Sequence, residues 1–298
     1  MNRILLIDID SKIPNLALMK ISAYHKSIGD KVGFGVNDPD KVYASVVFKK
    51  NKIDPNFLYM QYPEAEIEIG GSGQDLYKTL PDEIEFLKPD YDLYPNMEYS
   101  MGFTTRGCIR NCYFCIVPKK EGMIKVNQHP SEFHDKRFDT CMIMDNNILA
   151  APEKHWKSVF KWFIDNKIKM IEHGMDIRLM THEKARYIKQ IRFAKPLKFA
   201  FDNTEDEEMI ERGINILKEE GFNVRRNIMV YVYCHDDSMV DDTLYRCRKL
   251  KEWRTNPFVM CNIDKPRSRR MKDLQRWANR KALFWSIDFT EYERRRKI

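Results

Sequence analysis

Cysteine is missing from the first third of this sequence, and long apolar runs are missing from all of it. Seven cysteines occur among the 298 residues, and none precedes residue 108. No apolar stretch approaches the roughly 20 residues that a membrane helix needs, and the run at residues 4–7 is too short for a signal-peptide core. We therefore expect a soluble cytoplasmic protein with no membrane partner. The cytoplasm keeps thiols reduced, so the cysteines favour chemistry or metal binding over a disulfide framework.

Glycine is scarce, and its one dense segment lacks a nucleotide-binding spacing. Only 12 residues are glycine, and three of them lie in Gly70-Gly71-Ser72-Gly73. This segment does not have the G-x-G-x-x-G spacing of a dinucleotide site, so we interpret it as a turn, with a ligand role as the alternative. Repeats and low-complexity stretches are also absent. At 43% hydrophobic residues, a chain of this length can bury a large core, which excludes global disorder and favours two domains.

Positive charge is concentrated at the carboxyl end. The whole chain carries 51 basic and 44 acidic residues, a net charge of +7, whereas residues 265–298 hold twelve basic and four acidic residues, a net charge of +8. Such a surface can hold a phosphate backbone, with Trp277, Trp285 and Tyr292 as stacking surfaces for bases. The alternative is a solvated, partly frayed end. A nucleic acid is therefore one candidate partner.

The N-terminal part has the pattern of βα units. A strand at residues 2–8 precedes a helix at 14–28, which Gly29 ends, and further strands are predicted at 41–48 and 65–69. Residues 88–95 resemble a linker, and we place a domain boundary near residue 97.

From residue 98, short strands alternate with amphipathic helices, which is the pattern of a parallel sheet in a βα barrel. The six candidate strands are residues 99–105, 139–144, 169–175, 197–201, 224–233 and 258–263. Between them we predict a helix after Pro152 and two helices that begin with capping boxes, at Thr204 with Glu207 and at Ser238 with Asp241. Six strands make a partial barrel, and polar residues follow each strand, where the side chains of such a barrel converge.

Three cysteines lie within eight residues, at Cys108, Cys112 and Cys115, with the spacing C-x3-C-x2-C. Three thiolates on one loop can ligate three irons of a [4Fe–4S] cluster and leave the fourth iron open. Zinc is the alternative metal, with His129 or His134 as a fourth ligand, although zinc sites usually pair two CxxC knuckles.

This stretch resembles the radical S-adenosylmethionine (SAM) superfamily, in which the same motif follows the first strand of a partial barrel and an aromatic residue, here Phe114, precedes the third cysteine. The resemblance covers residues 98–265. It implies that Cys108, Cys112 and Cys115 hold a [4Fe–4S] cluster and that SAM chelates the open iron. It also implies an electron donor such as flavodoxin or ferredoxin, and a 5′-deoxyadenosyl radical that abstracts hydrogen from a substrate the sequence does not identify.

The resemblance suggests further cofactor-binding residues. Asp145 or Asn147 stands where many members place a Gly-Gly-Glu-like motif for the methionine amino group. Arg178 is a candidate for the cofactor carboxylate, and pairing with a nearby acid is the alternative. Asp202 and Asn203 stand where the family contacts ribose hydroxyls. Cys234 and Cys261 follow neighbouring strands, where they would form an auxiliary site, serve as thiol donors or simply be buried.

Residues 1–97 resemble a shortened form of the Rossmann-like domain of cobalamin-dependent members. That domain's Asp-x-His-x-x-Gly motif is not present, since the segment that begins at Asp8 has no histidine and His25 lies inside the first helix. We therefore do not expect cobalamin. Methylthiotransferase activity is disfavoured, because no N-terminal cysteines exist to bind a second cluster.

The sequence thus predicts an α/β protein: a small Rossmann-like α/β domain at residues 1–97, a partial (βα)6 TIM-type barrel at 98–265 and a basic C-terminal helical extension at 266–298. The expected function is that of a radical SAM enzyme. The competing hypotheses are a cobalamin-dependent radical SAM methyltransferase and a non-catalytic, zinc-stabilised nucleic-acid-binding protein.

Overall fold

The computed structural model describes residues 1–262 and 265–297, with side chains as far as Arg295. The chain divides into two compact units, Met1–Met144 and Asp145–Ile298. The domain boundaries expected near residues 97 and 265 stay predictions. Ile263 and Asp264, which were placed at the end of the sixth strand, lie outside the described residues.

The first unit opens with a four-stranded parallel sheet. Its strands are β1 (Arg3–Asp8), β2 (Lys31–Gly33), β3 (Lys41–Ser45) and β4 (Glu66–Gly70), in the spatial order β2-β1-β3-β4. Helix α1 (Leu16–Ser27) follows β1. The side chain of Asn15 accepts a hydrogen bond from the Leu18 amide at its start. Gly29 ends it with a φ of +85°, as the sequence predicted.

The rest of the first unit is built from short elements. Its helices are α2 (Pro55–Gln61), α3 (Asp82–Glu85), α4 (Val117–Lys120) and α5 (Pro130–Phe133). Strands β5 (Ser100–Gly102) and β8 (Thr140–Ile143) pair in parallel, whereas β6 (Thr105–Arg106) and β7 (Lys125–Val126) form an antiparallel ribbon that the sequence did not predict. This ribbon closes the base of the cysteine loop.

The second unit contains two groups of parallel strands. Strand β9 (Lys169–Glu172) pairs with β10 (Arg192–Phe193), and β11 (Leu197–Ala200), β12 (Ile228–Cys234) and β13 (Asn256–Cys261) form a sheet in that order. The α/β class with parallel sheets is confirmed, and the partial barrel stays a prediction. Residues 224–227 form a short helix rather than the start of the predicted strand at 224–233, because the Asn223 side chain caps the Arg226 amide.

Eight helices accompany these strands in the described part of the second unit: α6 (Glu153–Asn166), α7 (His182–Gln190), α8 (Glu207–Glu219), α9 (Val224–Asn227), α10 (Val240–Glu252), α11 (Arg269–Asn279), α12 (Lys281–Ser286) and α13 (Phe289–Lys297).

The two predicted capping boxes are wrong. Asn203 and Asp236 cap 3-10 turns that precede α8 and α10, while the hydroxyls of Thr204 and Ser238 bond to Asp242 and Asp236 instead.

The C-terminal helices pack against the second unit through aromatic side chains. Trp277 and Phe284 are completely buried with ring centroids 5.0 Å apart, and Phe289 and Tyr292 are buried beside them. Trp277 and Tyr292 are therefore too enclosed to stack on bases, and the alternative of a solvated, partly frayed end stays a prediction. None of the helices in the described ranges is long and apolar enough to cross a membrane.

Gly213 provides a test of how helix α8 packs against Ile177. A Cβ at this position would lie 2.5 Å from the carbonyl oxygen of Ile177. Alanine normally stabilises a helix interior by about 1 kcal/mol relative to glycine. Here we expect Gly213→Ala to lower the free energy of unfolding by about 1–3 kcal/mol through overpacking. Denaturant unfolding measures the change, and Asn215→Ala in the same helix, which should be neutral or slightly stabilising, is the control. A gain in stability for Gly213→Ala would contradict the packing.

Candidate functional site

The three clustered cysteines occupy the loop between β6 and β7. Cys108, Cys112 and Cys115 are all partly exposed, and none forms a disulfide. The amide of Cys108 donates to the carbonyl of Gly122 at 3.1 Å, and the amide of Cys115 donates to the carbonyl of Cys112 at 3.0 Å. These bonds hold the loop in a fixed path, so three thiols outside any disulfide are presented on one short segment.

Glu121 fixes the entry to this loop. Its Oε2 accepts a hydrogen bond from the Gly107 amide at 2.9 Å, and its Oε1 accepts one from Nη1 of Arg106 at 3.1 Å. Gly107 has a φ of +79°, and a Cβ there would lie 2.4 Å from the carbonyl oxygen of Met123. Only glycine fits this turn, which aims the chain into the cysteine loop.

Arg106 joins the loop to the body of the first unit. Its guanidinium lies 3.6 Å from the centre of the Phe103 ring and donates to Glu85 at 2.6 Å. Lys20, with only 1% of its side chain exposed, lies 3.5 Å from the same carboxylate of Glu85. Burial lowers the pKa of Lys20, and the Glu85 carboxylate opposes that change. Two cations therefore share the Glu85 carboxylate at the base of the cysteine loop, where each is largely removed from water.

The donor set of the loop suits an iron–sulfur cluster. Three soft sulfur ligands favour iron–sulfur or zinc over hard cations. The Arg110 amide points to Sγ of Cys108 at 3.4 Å, a contact that stabilises a thiolate. Within the described residues no group of three or more His, Cys, Asp or Glu side chains is already arranged as a metal site. The assignment of Cys108, Cys112 and Cys115 as ligands stays a prediction, as does a role for Phe114, whose ring packs edge-on against Tyr113.

The histidines considered as a fourth zinc ligand occupy different surroundings. His129 caps α5: its Nδ1 accepts from the Ser131 amide at 3.4 Å and lies 2.7 Å from the Ser131 hydroxyl. Glu132 completes this capping box from the other side. His134 is half-buried, and burial lowers its pKa. Capping of α5 therefore explains the position of His129 without a bound metal.

The loops at the carboxyl edge of the first sheet are occupied by the chain itself. The Asp10 carboxylate accepts from the amides of Val47 and Phe48 at 2.7 and 2.9 Å. A Cβ at Gly71 or Gly73 would overlap the backbone of residues 46 and 48. The glycine segment is therefore a turn that needs close backbone approach. His25 is held by Asp30, at 2.8 Å between Nδ1 and Oδ2, and the expectation that the chain binds no cobalamin stays a prediction.

In the second unit, Asp145 and Asn147 are buried. The Oδ1 of Asn147 accepts a hydrogen bond from the Asp176 amide at 3.2 Å. Its Nδ2 is buried without a hydrogen-bond partner in residues 1–262 and 265–297. A buried amide donor without a partner costs free energy. Asn147 is thus the better placed of the two candidates to receive an acceptor atom from a ligand.

Arg178 is held by two carboxylates. Its Nε and Nη2 donate to the two oxygens of Asp176 at 2.7 and 3.1 Å, and its Nη1 donates to Asp206 at 2.5 Å. Burial lowers the pKa of Arg178, and the two acids raise it further than burial lowers it. The alternative of an acid-paired arginine is therefore observed, and a ligand carboxylate would have to compete with both acids.

Asp202 and Asn203 follow β11 but differ in environment. Oδ1 of Asp202 accepts from the Tyr233 amide at 2.8 Å, and burial raises the pKa of the carboxyl against the opposing effects of this bond and of Arg246. Asn203 is exposed and caps the next turn by accepting from the Glu205 amide. Asp202 therefore stays a candidate ligand-binding residue at the carboxyl end of β11, whereas the capping of the next turn explains the position of Asn203.

Arg246 was not anticipated from the sequence, although an Asp242–Arg246 pair four residues apart in a predicted helix is a recognisable signal. Its side chain is completely buried. It donates to the carbonyls of Phe201 at 2.7 Å and Tyr233 at 3.1 Å and to Asp242 at 2.9 Å. It therefore joins the carboxyl ends of β11 and β12, beside Asp202.

Cys234 and Cys261 do lie side by side at the ends of β12 and β13, where they are register partners. Both are buried and unoxidised. A hydrogen bond with Cys261 lowers the pKa of Cys234 to about 7, and the same bond raises the pKa of Cys261. Thr243 of α10 also bonds to Cys234, so the pair faces the helical layer of this sheet.

Glu172 is a second residue that sequence reasoning missed. Its Oε1 accepts from the Lys198 amide at 2.8 Å. Burial raises the pKa of this carboxyl to about 7, against the opposing effects of the Lys198 ammonium and two backbone amides. An acid of this kind can change protonation at neutral pH, which makes it a candidate for proton handling.

Comparison with protein-family models and with curated proteins finds no match to this chain. The functional assignment therefore depends on the residues themselves, above all on the cysteine loop and on the polar groups after β11 and β12.

Glu121 allows a test of how the cysteine loop is held. Glu121→Ala leaves the Gly107 amide without its acceptor and removes one of the two carboxylates that bind Arg106, so we expect the free energy of unfolding to fall by about 2–3 kcal/mol. Glu121→Gln keeps a neutral acceptor and should lose less. Denaturant unfolding measures both, and the rate of thiol labelling should rise in the alanine variant. Equal stability of the wild type and both variants would show that the contact is unimportant.

Glu172 predicts a pH dependence of stability. Its folded pKa is about 7 against 4.5 in the unfolded chain, so between these values the folded protein holds a proton that the unfolded chain does not. Raising the pH through this range should therefore remove on the order of 3 kcal/mol of unfolding free energy. Glu172→Gln cannot titrate and should lose this component. Parallel pH profiles for the two proteins would contradict the assignment.

Proposed function

We propose that this chain is a radical SAM enzyme that holds a [4Fe–4S] cluster on Cys108, Cys112 and Cys115. The observation that carries the proposal is the presentation of three part-exposed cysteines, none in a disulfide, on one loop with the spacing C-x3-C-x2-C. The parallel α/β architecture supports it, because the same loop precedes a series of βα units. The finer features of the proposal are a partial (βα)6 barrel, a cytoplasmic location and reduction by a flavodoxin or ferredoxin.

The chain's own residues would hold and orient the reactants. When bound, the cluster and SAM supply a 5′-deoxyadenosyl radical that takes a hydrogen atom from the substrate. Glu121 and Arg106 fix the loop that carries the sulfur ligands. In the second unit, Asn147 offers a buried amide donor and Asp202 a buried carboxyl to polar groups of a ligand.

The cobalamin-dependent alternative has less support. A histidine ligand for cobalt is expected after β1, where Asp10 instead binds the amides of the β3 loop. His25 is engaged by Asp30 inside the fold. We therefore propose no cobalamin chemistry for this chain.

The decisive experiment is anaerobic reconstitution with iron and sulfide followed by reduction in the presence of SAM. We expect about four irons per chain in this cluster and formation of 5′-deoxyadenosine. Replacing Cys108, Cys112 or Cys115 by alanine should abolish both. The matched control is Cys141→Ala, which removes a buried cysteine outside the loop and should keep both. Stoichiometric zinc without iron uptake would refute the proposal and favour the zinc-stabilised alternative.

A further inference from the structure

Some basic residues of the C-terminal segment pair with acidic side chains, and others do not. Several are engaged by acids: Lys265 lies 3.0 Å from Asp236, Arg270 lies 2.5 Å from Asp241, and Arg295 pairs with Glu291. Their charges are largely neutralised locally. The side chains of Arg296 and Lys297 lie outside the described residues. The net charge of the segment therefore does not by itself locate a binding surface.

Unpaired cations gather instead at the amino edge of strands β12 and β13. Arg225 and Arg226 belong to α9, directly before β12, and Arg254 lies two residues before the start of β13. Because these strands are parallel neighbours, the residues that precede them lie at the same edge of the sheet. Arg226 and Arg254 are exposed and pair with no carboxylate in the described part of the chain. Glu252, the nearest acid in sequence to Arg254, pairs with Lys249 at 3.4 Å.

Helix α12 contributes to the same edge. The Asn256 side chain at the start of β13 donates to the carbonyl of Arg225 and accepts from Nε1 of Trp285. The Arg225 guanidinium lies 4.1 Å from the centre of the Trp285 ring. Lys281, four residues before Trp285, is exposed on the same side of α12, and Arg280 precedes it. We call the set Arg225, Arg226, Arg254, Arg280 and Lys281 the amino-edge patch.

The chemistry of the amino-edge patch suits a nucleic acid. Closely spaced unpaired cations bind a phosphate backbone by releasing its counterions. A tryptophan ring with an arginine guanidinium over it offers aromatic and cationic surface on which an unstacked base can stack. Attachment to a membrane would also need apolar side chains that insert into lipid. The exposed residues flanking the patch in the chain are Asn223, Asn227, Glu252 and Ala282, none of which inserts into lipid.

We propose that the amino-edge patch binds single-stranded RNA through its phosphates, with Arg225 on Trp285 as a stacking surface. The patch lies at the opposite end of β12 and β13 from Cys234 and Cys261. It therefore anchors the polymer away from the polar groups that follow these strands. The inference does not depend on radical SAM activity, since it concerns binding alone.

The test is binding of a fluorescein-labelled single-stranded RNA of mixed sequence to the full-length protein, measured by anisotropy over a range of salt concentrations. The variant Arg226→Glu with Arg254→Glu and Lys281→Glu reverses three exposed charges. We expect its affinity to fall at least tenfold at low salt. The slope of log affinity against log salt should shrink by about 2, since each lost phosphate contact accounts for about 0.7.

The matched control reverses three exposed lysines elsewhere: Lys31, Lys136 and Lys154 to Glu, which gives the same net charge. It should keep most of the affinity. Thermal unfolding and 5′-deoxyadenosine formation should be unchanged in both variants, so a failure of binding is separable from a failure of the proposed enzyme activity. The inference is overturned if wild-type protein does not bind the RNA, if the control loses as much affinity as the patch variant, or if acidic lipid vesicles bind the patch and RNA does not.

Discussion

The contact on which the candidate site depends is the pairing of Arg106 with Glu85 and Glu121 beneath the cysteine loop. A guanidinium between two carboxylates satisfies donors that would otherwise be buried without acceptors. One of those carboxylates also binds the Gly107 amide, so the same interaction sets the direction in which the loop leaves β6. The positions of the three thiols follow from this network rather than from a hydrophobic core, because the loop itself has few buried side chains.

The second unit uses the same chemistry at the carboxyl ends of its strands. Arg246 binds the carbonyls that end β11 and β12, and Arg178 is held by Asp176 and Asp206. Both arginines act on Asp202, whose carboxyl is largely enclosed: their charges lower its pKa, whereas burial and the charge of Asp206 raise it. In this region, guanidinium groups that are removed from water hold the ends of neighbouring strands in place. A ligand that enters this region meets groups already positioned, which reduces the cost of ordering them on binding.

The distribution of charge in this protein illustrates why composition alone does not locate a polyanion-binding surface. The basic C-terminal segment looks like a polyanion site by count, yet several of its cations face acids of α10 and α13 or of the loop after β12. The unpaired cations lie partly in other segments, at Arg225, Arg226 and Arg254, which parallel pairing of β12 with β13 brings to one edge. Attraction of a distant phosphate depends on charge that local partners have not neutralised.

Local patterns in the sequence determined the elements and the chemistry of the cysteine loop. Strands β1, β3 and β4, helix α1 with its glycine stop, and the parallel α/β class follow from apolar periodicity and turn residues, and C-x3-C-x2-C follows from spacing, whereas the three-residue strand β2 was not predicted. The 3-10 turns capped by Asn203 and Asp236 were not predicted, although their bonds to the amides of Glu205 and Ser238 are local. Only the tertiary structure decided that Arg178 pairs with acids rather than standing open, Asp206 among them, and that Trp277 is buried. These two points depend on which groups become neighbours in the folded chain, because an enclosed guanidinium needs acceptors and a large aromatic ring gains free energy on burial.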